Sequence, residues 1–225
     1  MSEERVIAAT TTATSERGIE VSKVLRQTYL LLGMTLAFSA AMTAVAVNVG
    51  AQPINWIVSL VVMIGLLFAL QAKRNSVMAL PLVFAFTGWM GWSLGPMVAM
   101  VLGSAGGSGI LFNATAGTAI IFFALSAYAV TTGRDFSFLR GFLMTGLIVC
   151  LLAMVAAFFM NMPALHLAIS GALILLASGF ILFDTSNIVN GGETNYVMAT
   201  VSLYINIYML FSNLLAIMGV MGSDD

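Results

Sequence analysis

The chain has 225 residues, of which 60% are hydrophobic and only 8% charged, and its mean hydropathy is +1.04. Soluble domains carry about a quarter charged residues, so this composition excludes a water-soluble globular protein. The formal net charge of -1 also gives no attraction to nucleic acid.

A polar tail is the first predicted element. Residues 1–20 are rich in Thr, Ala and Glu and contain no apolar region of the kind found in secretory signals. Such a segment cannot bury enough apolar surface to offset its ordering entropy, so we expect it to be disordered. The remaining residues, 21–225, are predicted to form one membrane domain.

Seven apolar runs follow the tail, each long enough to cross about 30 Å of hydrocarbon. They are separated by Gly, Pro, Asn and charged residues, which end helices. The spans are expected at 28–49, 54–71, 77–102, 110–131, 138–160, 164–187 and 197–221. The links between them are short, so consecutive helices should be antiparallel neighbours in one all-α bundle.

All eight cations fall on one side of this seven-span arrangement. They are Arg5, Arg17, Lys23 and Arg26 before span 1, Lys73 and Arg74 after span 2, and Arg134 and Arg140 around the link after span 4. Cytoplasmic loops of membrane proteins carry an excess of Lys and Arg. The N-terminus is therefore expected in the cytoplasm and the C-terminus outside.

One carboxylate is expected at membrane depth, near the end of span 6. Asp184 lies there, and burying an unpaired charge in the hydrocarbon costs several kcal/mol. Two interpretations stay open. Asp184 is a gating or ion site, or it is structural, capping a helix end or pairing with Lys73 or Arg74, which the topology places at the same face.

Span 7 carries a polar stripe. Ser202, Asn206 and Asn213 are spaced i, i+4 and i+11, so they share one helix face, which should point towards protein or water. We expect this face to point towards Asp184, either as interhelical hydrogen bonding or as part of an ion path.

Three further features favour structural roles. Gly88, Gly91 and Gly95 form a small-residue stripe on span 3 that permits close helix approach. His166 is predicted to be a solvated residue at the outer start of span 6. Cys150 is the single cysteine, which excludes an intrachain disulfide and a cysteine-based metal site.

Enzyme classes of the membrane fit poorly. The segment 106–109 (GGSG) matches the Gly-x-Ser-Gly pattern of rhomboid-type proteases but lies in a link. An aspartyl protease needs two membrane carboxylates, and a retinal protein needs a lysine in span 7, which has none. We therefore predict no catalysis and no cofactor.

Three segments resemble, in order and spacing, the signature of the Bax inhibitor-1 family. They are 91–96 (GWSLGP), 118–122 (TAIIF) and 135–139 (DFSFL). The segments 25–29 (LRQTY), 163–170 (PALHLAIS) and 191–196 (GGETNY) are similar to the bacterial YccA-like branch of that family. The resemblance covers nearly the whole chain after about residue 20.

This resemblance implies a fold of seven helices with the last enclosed by the other six. It also implies two activities. Family members with facing aspartates on the sixth and seventh helices behave as pH-sensitive calcium leak pathways, and the YccA-like branch binds and restrains the membrane AAA protease FtsH.

The two activities differ in what they require of the site. Asp184 matches the sixth-helix aspartate, but the seventh-helix position is Asn206. The coupled carboxylate pair is therefore absent, although Asp184 stays a candidate calcium ligand. The resemblance thus favours an FtsH modulator of the bacterial inner membrane, with lipid and FtsH as partners. The alternative is a pH-sensitive leak or transporter for Ca²⁺, another cation or H⁺.

Overall fold

The computed structural model describes residues 2–160 and 162–222, with side chains for 18–157, 159, 162 and 164–222. Seven helices make up this part of the chain. They are α1 (Ser2–Asn48), α2 (Trp56–Lys73), α3 (Ala79–Leu102), α4 (Gly107–Thr132), α5 (Leu139–Met160), α6 (Pro163–Val189) and α7 (Tyr196–Met221).

The prediction of an all-α fold with seven membrane spans is confirmed. Each of the seven described helices contains a stretch long and apolar enough to cross a bilayer. Their bounds lie within three residues of those predicted, except at the start of α1, whose membrane-crossing part is Gly18–Asn48. Of residues 1–20, which the sequence predicts to be a disordered tail, those from Ser2 onward are helical and form the start of α1; their side chains are described only from Gly18.

Helix ends follow from particular residues in the links. Asn195 caps α7, because its side-chain oxygen accepts hydrogen bonds from the backbone N–H groups of Val197 and Met198. Gly133 ends α4 with φ of 59°, and its N–H donates to the carbonyl of Ala129. This left-handed conformation is strained for residues with a Cβ, so glycine sets the stop.

The close approach of α1 to α3 takes place along the glycine stripe. A Cβ on Gly91 would overlap the carbonyl oxygen of Ser39, and a Cβ on Gly95 would overlap the Cβ of Ala46. Thr43 Oγ1 donates to the carbonyl of Gly91 at 2.8 Å across this contact. The stripe is therefore a packing surface on which α1 lies almost backbone to backbone.

Helix α7 lies in the interior of the described bundle. It packs against α1, α3, α4 and α6, whereas α2 packs against α3 and α5 packs against α6. No described residue from Tyr196 to Gly219 is exposed. Enclosure of α7 by all six helices, which the resemblance implies, stays a prediction, since its main contacts are with four.

Three links meet at one end of the bundle. Asn195 Nδ2, before α7, donates to the carbonyl of Arg74 at 3.0 Å, in the link between α2 and α3. Ser186 Oγ, on α6, donates to the carbonyl of Arg134 at 2.8 Å, in the link between α4 and α5. The cations of the described side chains are exposed in or beside these links and near the start of the membrane-crossing part of α1; they are Lys23, Arg26, Lys73, Arg74, Arg134 and Arg140.

The orientation of this end is open to a direct test. We predict that a reporter enzyme fused after Asp225 and one inserted beside Arg134 will report opposite compartments, with Arg134 in the cytoplasm, because the cations gather at that end. Matched fusions truncated after α6 should move the C-terminal reporter to the cytoplasm. A cytoplasmic signal from the full-length fusion would contradict the arrangement.

Candidate functional site

The candidate site lies where the end of α6 meets the first turns of α7. Asp184 is on α6, five residues before the helix ends at Val189. Its Oδ2 accepts a hydrogen bond of 2.6 Å from Ser202 Oγ and one of 2.7 Å from Asn206 Nδ2. The i, i+4 spacing of the two donors places both on the face of α7 that contacts α6.

The side chains of the site are buried or half-buried. Asn206 is 6% exposed, while Asp184 and Ser202 are half-buried. Both donors converge on Oδ2, so within the described residues Oδ1 has no hydrogen-bond partner. The two contacts join Asp184 on α6 to neighbouring turns of α7.

The predicted basic partners lie elsewhere. Lys73 and Arg74 are exposed, and neither forms an ion pair with Asp184 among the side chains that the structure describes. The charged group that acts electrostatically on Asp184 is Glu193, in the link before α7, and it has the same sign. The neutral donors Ser202 and Asn206 therefore take the place of the expected cation.

Two other predicted residues are separate from the site. Asn213 Nδ2 donates to the carbonyl of Met209 in its own helix at 2.7 Å. Of the polar stripe on α7, Ser202 and Asn206 are therefore the residues that bond to Asp184. His166 is exposed, with Nδ1 at 3.1 Å from the carbonyl oxygen of Met162. Among the residues that the structure describes, no three His, Cys, Asp or Glu side chains cluster as a metal site would require.

Residues 21–223 match the model of the family described as inhibitor of apoptosis-promoting Bax1. This chain belongs to the Bax inhibitor-1 family. It is 50% identical to the modulator of FtsH protease YccA of Escherichia coli strain K12 over 207 residues, covering 92% of this chain and 94% of the relative. An uncharacterized protein of Pseudomonas aeruginosa is 47% identical, covering 92% and 93%. An uncharacterized membrane protein of Vibrio cholerae is 44% identical, covering 96% and 97%.

The calcium chemistry implied by the Bax inhibitor-1 resemblance can be tested against the donor set. Ca²⁺ takes six to eight oxygen ligands. Around Asp184, Ser202 presents a hydrogen and Asn206 presents its amide nitrogen towards Oδ2, which leaves the carboxylate as the oxygen donor. This arrangement does not fit a resident calcium ion.

Sequence reasoning missed the role of Tyr204. Tyr204 is 1% exposed. Its hydroxyl lies 2.6 Å from Ser39 Oγ on α1, and it donates a hydrogen bond of 3.2 Å to the carbonyl of Thr87 on α3. It therefore joins the last helix to the first and third. The available signal was a tyrosine at mid-span, since a buried phenol needs a hydrogen-bond partner.

Proposed function

We propose that this protein binds and restrains an FtsH-type AAA protease in a bacterial inner membrane. The observation that carries the proposal is the 50% identity, over 92% of the chain, to a protein named as a modulator of FtsH protease. A matched relative from a second Escherichia coli strain is named as an inner membrane protein, which supports the same membrane for this chain.

The structure supports a role in binding rather than in catalysis. The polar side chains at membrane depth that were singled out, Asp184, Ser202 and Asn206, are engaged with one another. By contrast, α2 turns large apolar side chains outward, among them Val61 and Phe68, which are 61% and 73% exposed. Contact with the protease is therefore proposed to occur between membrane helices, with residues 1–20 extending from the first span on the cytoplasmic side.

Reconstitution tests this function. FtsH and a membrane substrate are placed in proteoliposomes with rising amounts of this protein, and we expect substrate degradation to slow and then reach a plateau as FtsH becomes saturated. An unrelated seven-helix protein at the same ratios controls for crowding. Unchanged degradation together with failure of FtsH to copurify would overturn the proposal.

A second candidate function is a pH-sensitive leak for Ca²⁺, another cation or H⁺. The observation that favours it is a half-buried carboxylate within a membrane span, with one oxygen free of described hydrogen bonds. Ionisable groups in membrane spans commonly line ion or proton paths. In this proposal Ca²⁺ is transported cargo, and Asp184 is the gate.

A further inference from the structure

A cavity of about 710 Å³ lies among α1, α3, α4 and α7, beyond Tyr204 from the Asp184 site. Ser39, Tyr204, Ile207 and Tyr208 line its inner wall. Because α7 is the interior helix, this space reaches from the protein's side into its centre. It belongs neither to the Asp184 site nor to the exposed outer faces of α2 and α5.

The cavity opens sideways, between α1 and α4. Ala40 and Ala44 on α1, and Thr115 and Phe123 on α4, both line it and are exposed. Ala40 and Ala44 are one helical turn apart, so their small side chains leave a gap along that face of α1. In a membrane, the medium at this mouth is the hydrocarbon of the bilayer.

The wall gives water few partners. None of the lining residues is charged. The hydroxyls of Thr43, Thr115 and Thr118 already donate to backbone carbonyls at 2.8, 2.8 and 2.7 Å, and those of Ser39 and Tyr204 bond to each other. A buried water needs two to four polar partners, and apolar cavities stay dry, so hydrocarbon is the better occupant.

The dimensions match one lipid chain. On α1 the lining runs from Leu36 to Asn48, a rise of about 18 Å at 1.5 Å per residue. One leaflet contributes about 15 Å of the hydrocarbon core. Asn48 is the last residue of α1 and is exposed, so the lining ends where the helix ends.

A helix from a partner protein does not fit the same space. A helix with its side chains is about 10–12 Å wide, much wider than a single acyl chain, and the mouth between α1 and α4 would have to admit that width. The mouth is also framed by alanines, whereas a wider groove would be needed to seat a helix with its side chains.

We propose that this cavity is a binding site for one acyl chain of a membrane phospholipid. The chain enters between α1 and α4 from the leaflet in which α1 ends, passes Ala44 and Ala40, and ends against Tyr204 and Tyr208. Its volume and its apolar wall with few polar groups are those of sites for small apolar ligands. This site is independent of the proposed action on FtsH.

Photolabelling tests the proposal. The full chain is reconstituted in phosphatidylethanolamine vesicles containing a trace of phosphatidylcholine with a diazirine on its acyl chain, irradiated and mapped by mass spectrometry. We expect label on α7 at Tyr208 or Phe211, which line the cavity and are not exposed on the outer surface. Ala44→Phe and Thr115→Phe, which close the mouth from opposite sides, should each lower this label about tenfold.

Matched controls separate entry from general damage. Ala41→Phe lies beside the mouth on an exposed position that does not line the cavity, so it should leave α7 labelling unchanged. Labelling of Ile120, which is 69% exposed, should be equal in all variants. Absence of α7 label in the wild type, or equal α7 label after both closing substitutions, would overturn the proposal. So would reaction of Tyr208→Cys, in a Cys150→Ser background, with a membrane-impermeant maleimide, which would show an aqueous cavity.

Discussion

Replacing Gly91 with alanine is expected to destabilise the protein by about 3 kcal/mol, at the upper end of typical overpacking effects. The added Cβ would overlap the backbone carbonyl oxygen of Ser39 and would also approach its Oγ to 2.7 Å. A backbone atom cannot rotate away as a side chain can, so α1 and α3 must separate. That separation also disturbs the hydrogen bond from Thr43 to Gly91 and the contact of Ser39 with Tyr204.

Unfolding can be followed through the single cysteine. Cys150 is 6% exposed, so a fluorogenic maleimide reports the temperature at which it becomes accessible in detergent. A loss of about 3 kcal/mol corresponds to a fall of roughly 6–12 °C in Tm for a chain of this size. Gly33→Ala is the control, since nothing lies within 4 Å of its Cβ, and it should be neutral or stabilising by up to about 1 kcal/mol. Equal Tm values for Gly91→Ala and Gly33→Ala would contradict the packing account.

The second large effect concerns the gate of the proposed leak. Asp184→Asn keeps the shape of the side chain and an oxygen that accepts from Ser202 and Asn206, but it removes the titrating charge. Cation flux through proteoliposomes of the wild type should change by roughly tenfold or more across pH 5 to 8. The reason is that the less populated protonation state of a carboxyl group changes about tenfold per pH unit away from its titration midpoint. In Asp184→Asn the flux should be the same at every pH.

Asn206→Asp sharpens the test by adding a carboxylate at hydrogen-bond distance, since Asn206 Nδ2 lies 2.7 Å from Asp184 Oδ2. Two carboxylates this close titrate as a coupled pair, so the pH response of the flux should become steeper. Asn213→Asp adds the same charge on the same helix at a residue that bonds to Met209 instead, and it should leave the response unchanged. If the wild type and Asp184→Asn show identical flux at all pH values, Asp184 is a structural residue and is not the gate of a leak.

Much of the fold was predictable because it depends on hydrophobic run length and on helix-breaking residues. The end of α4 at Gly133 and the start of α6 at Pro163 are read from the sequence because backbone conformation decides them locally. The meeting of Ser202 and Asn206 with Asp184 was predictable from helical periodicity and short links. These relations need no knowledge of how far apart the helix axes lie.

The remaining features depend on distances between helices, which side-chain packing sets. Periodicity places Asn213 on the same face as Asn206, but α6 and α7 are in contact at Asn206 while Asn213 bonds to its own helix. The topology made Lys73 or Arg74 possible partners of Asp184, but the side chains that bond to Asp184 are the neutral donors Ser202 and Asn206. The gap between α1 and α4 accompanies the tight contact of α1 with α3. The glycine stripe indicates that contact, but it does not give the distances between the helices.

The interior position of α7 has a consequence for biosynthesis. Of the seven described helices, α7 is the last to leave the ribosome, yet it supplies Ser202 and Asn206 to Asp184 and the Tyr204 hydroxyl to Ser39. Until α7 arrives, α1, α3, α4 and α6 lack the helix against which they pack, and Asp184 on α6 lacks its two hydrogen-bond donors. Assembly of the bundle therefore cannot finish before α7 has been synthesised, and a nascent chain stalled before Tyr196 would present quality-control proteases with an open bundle.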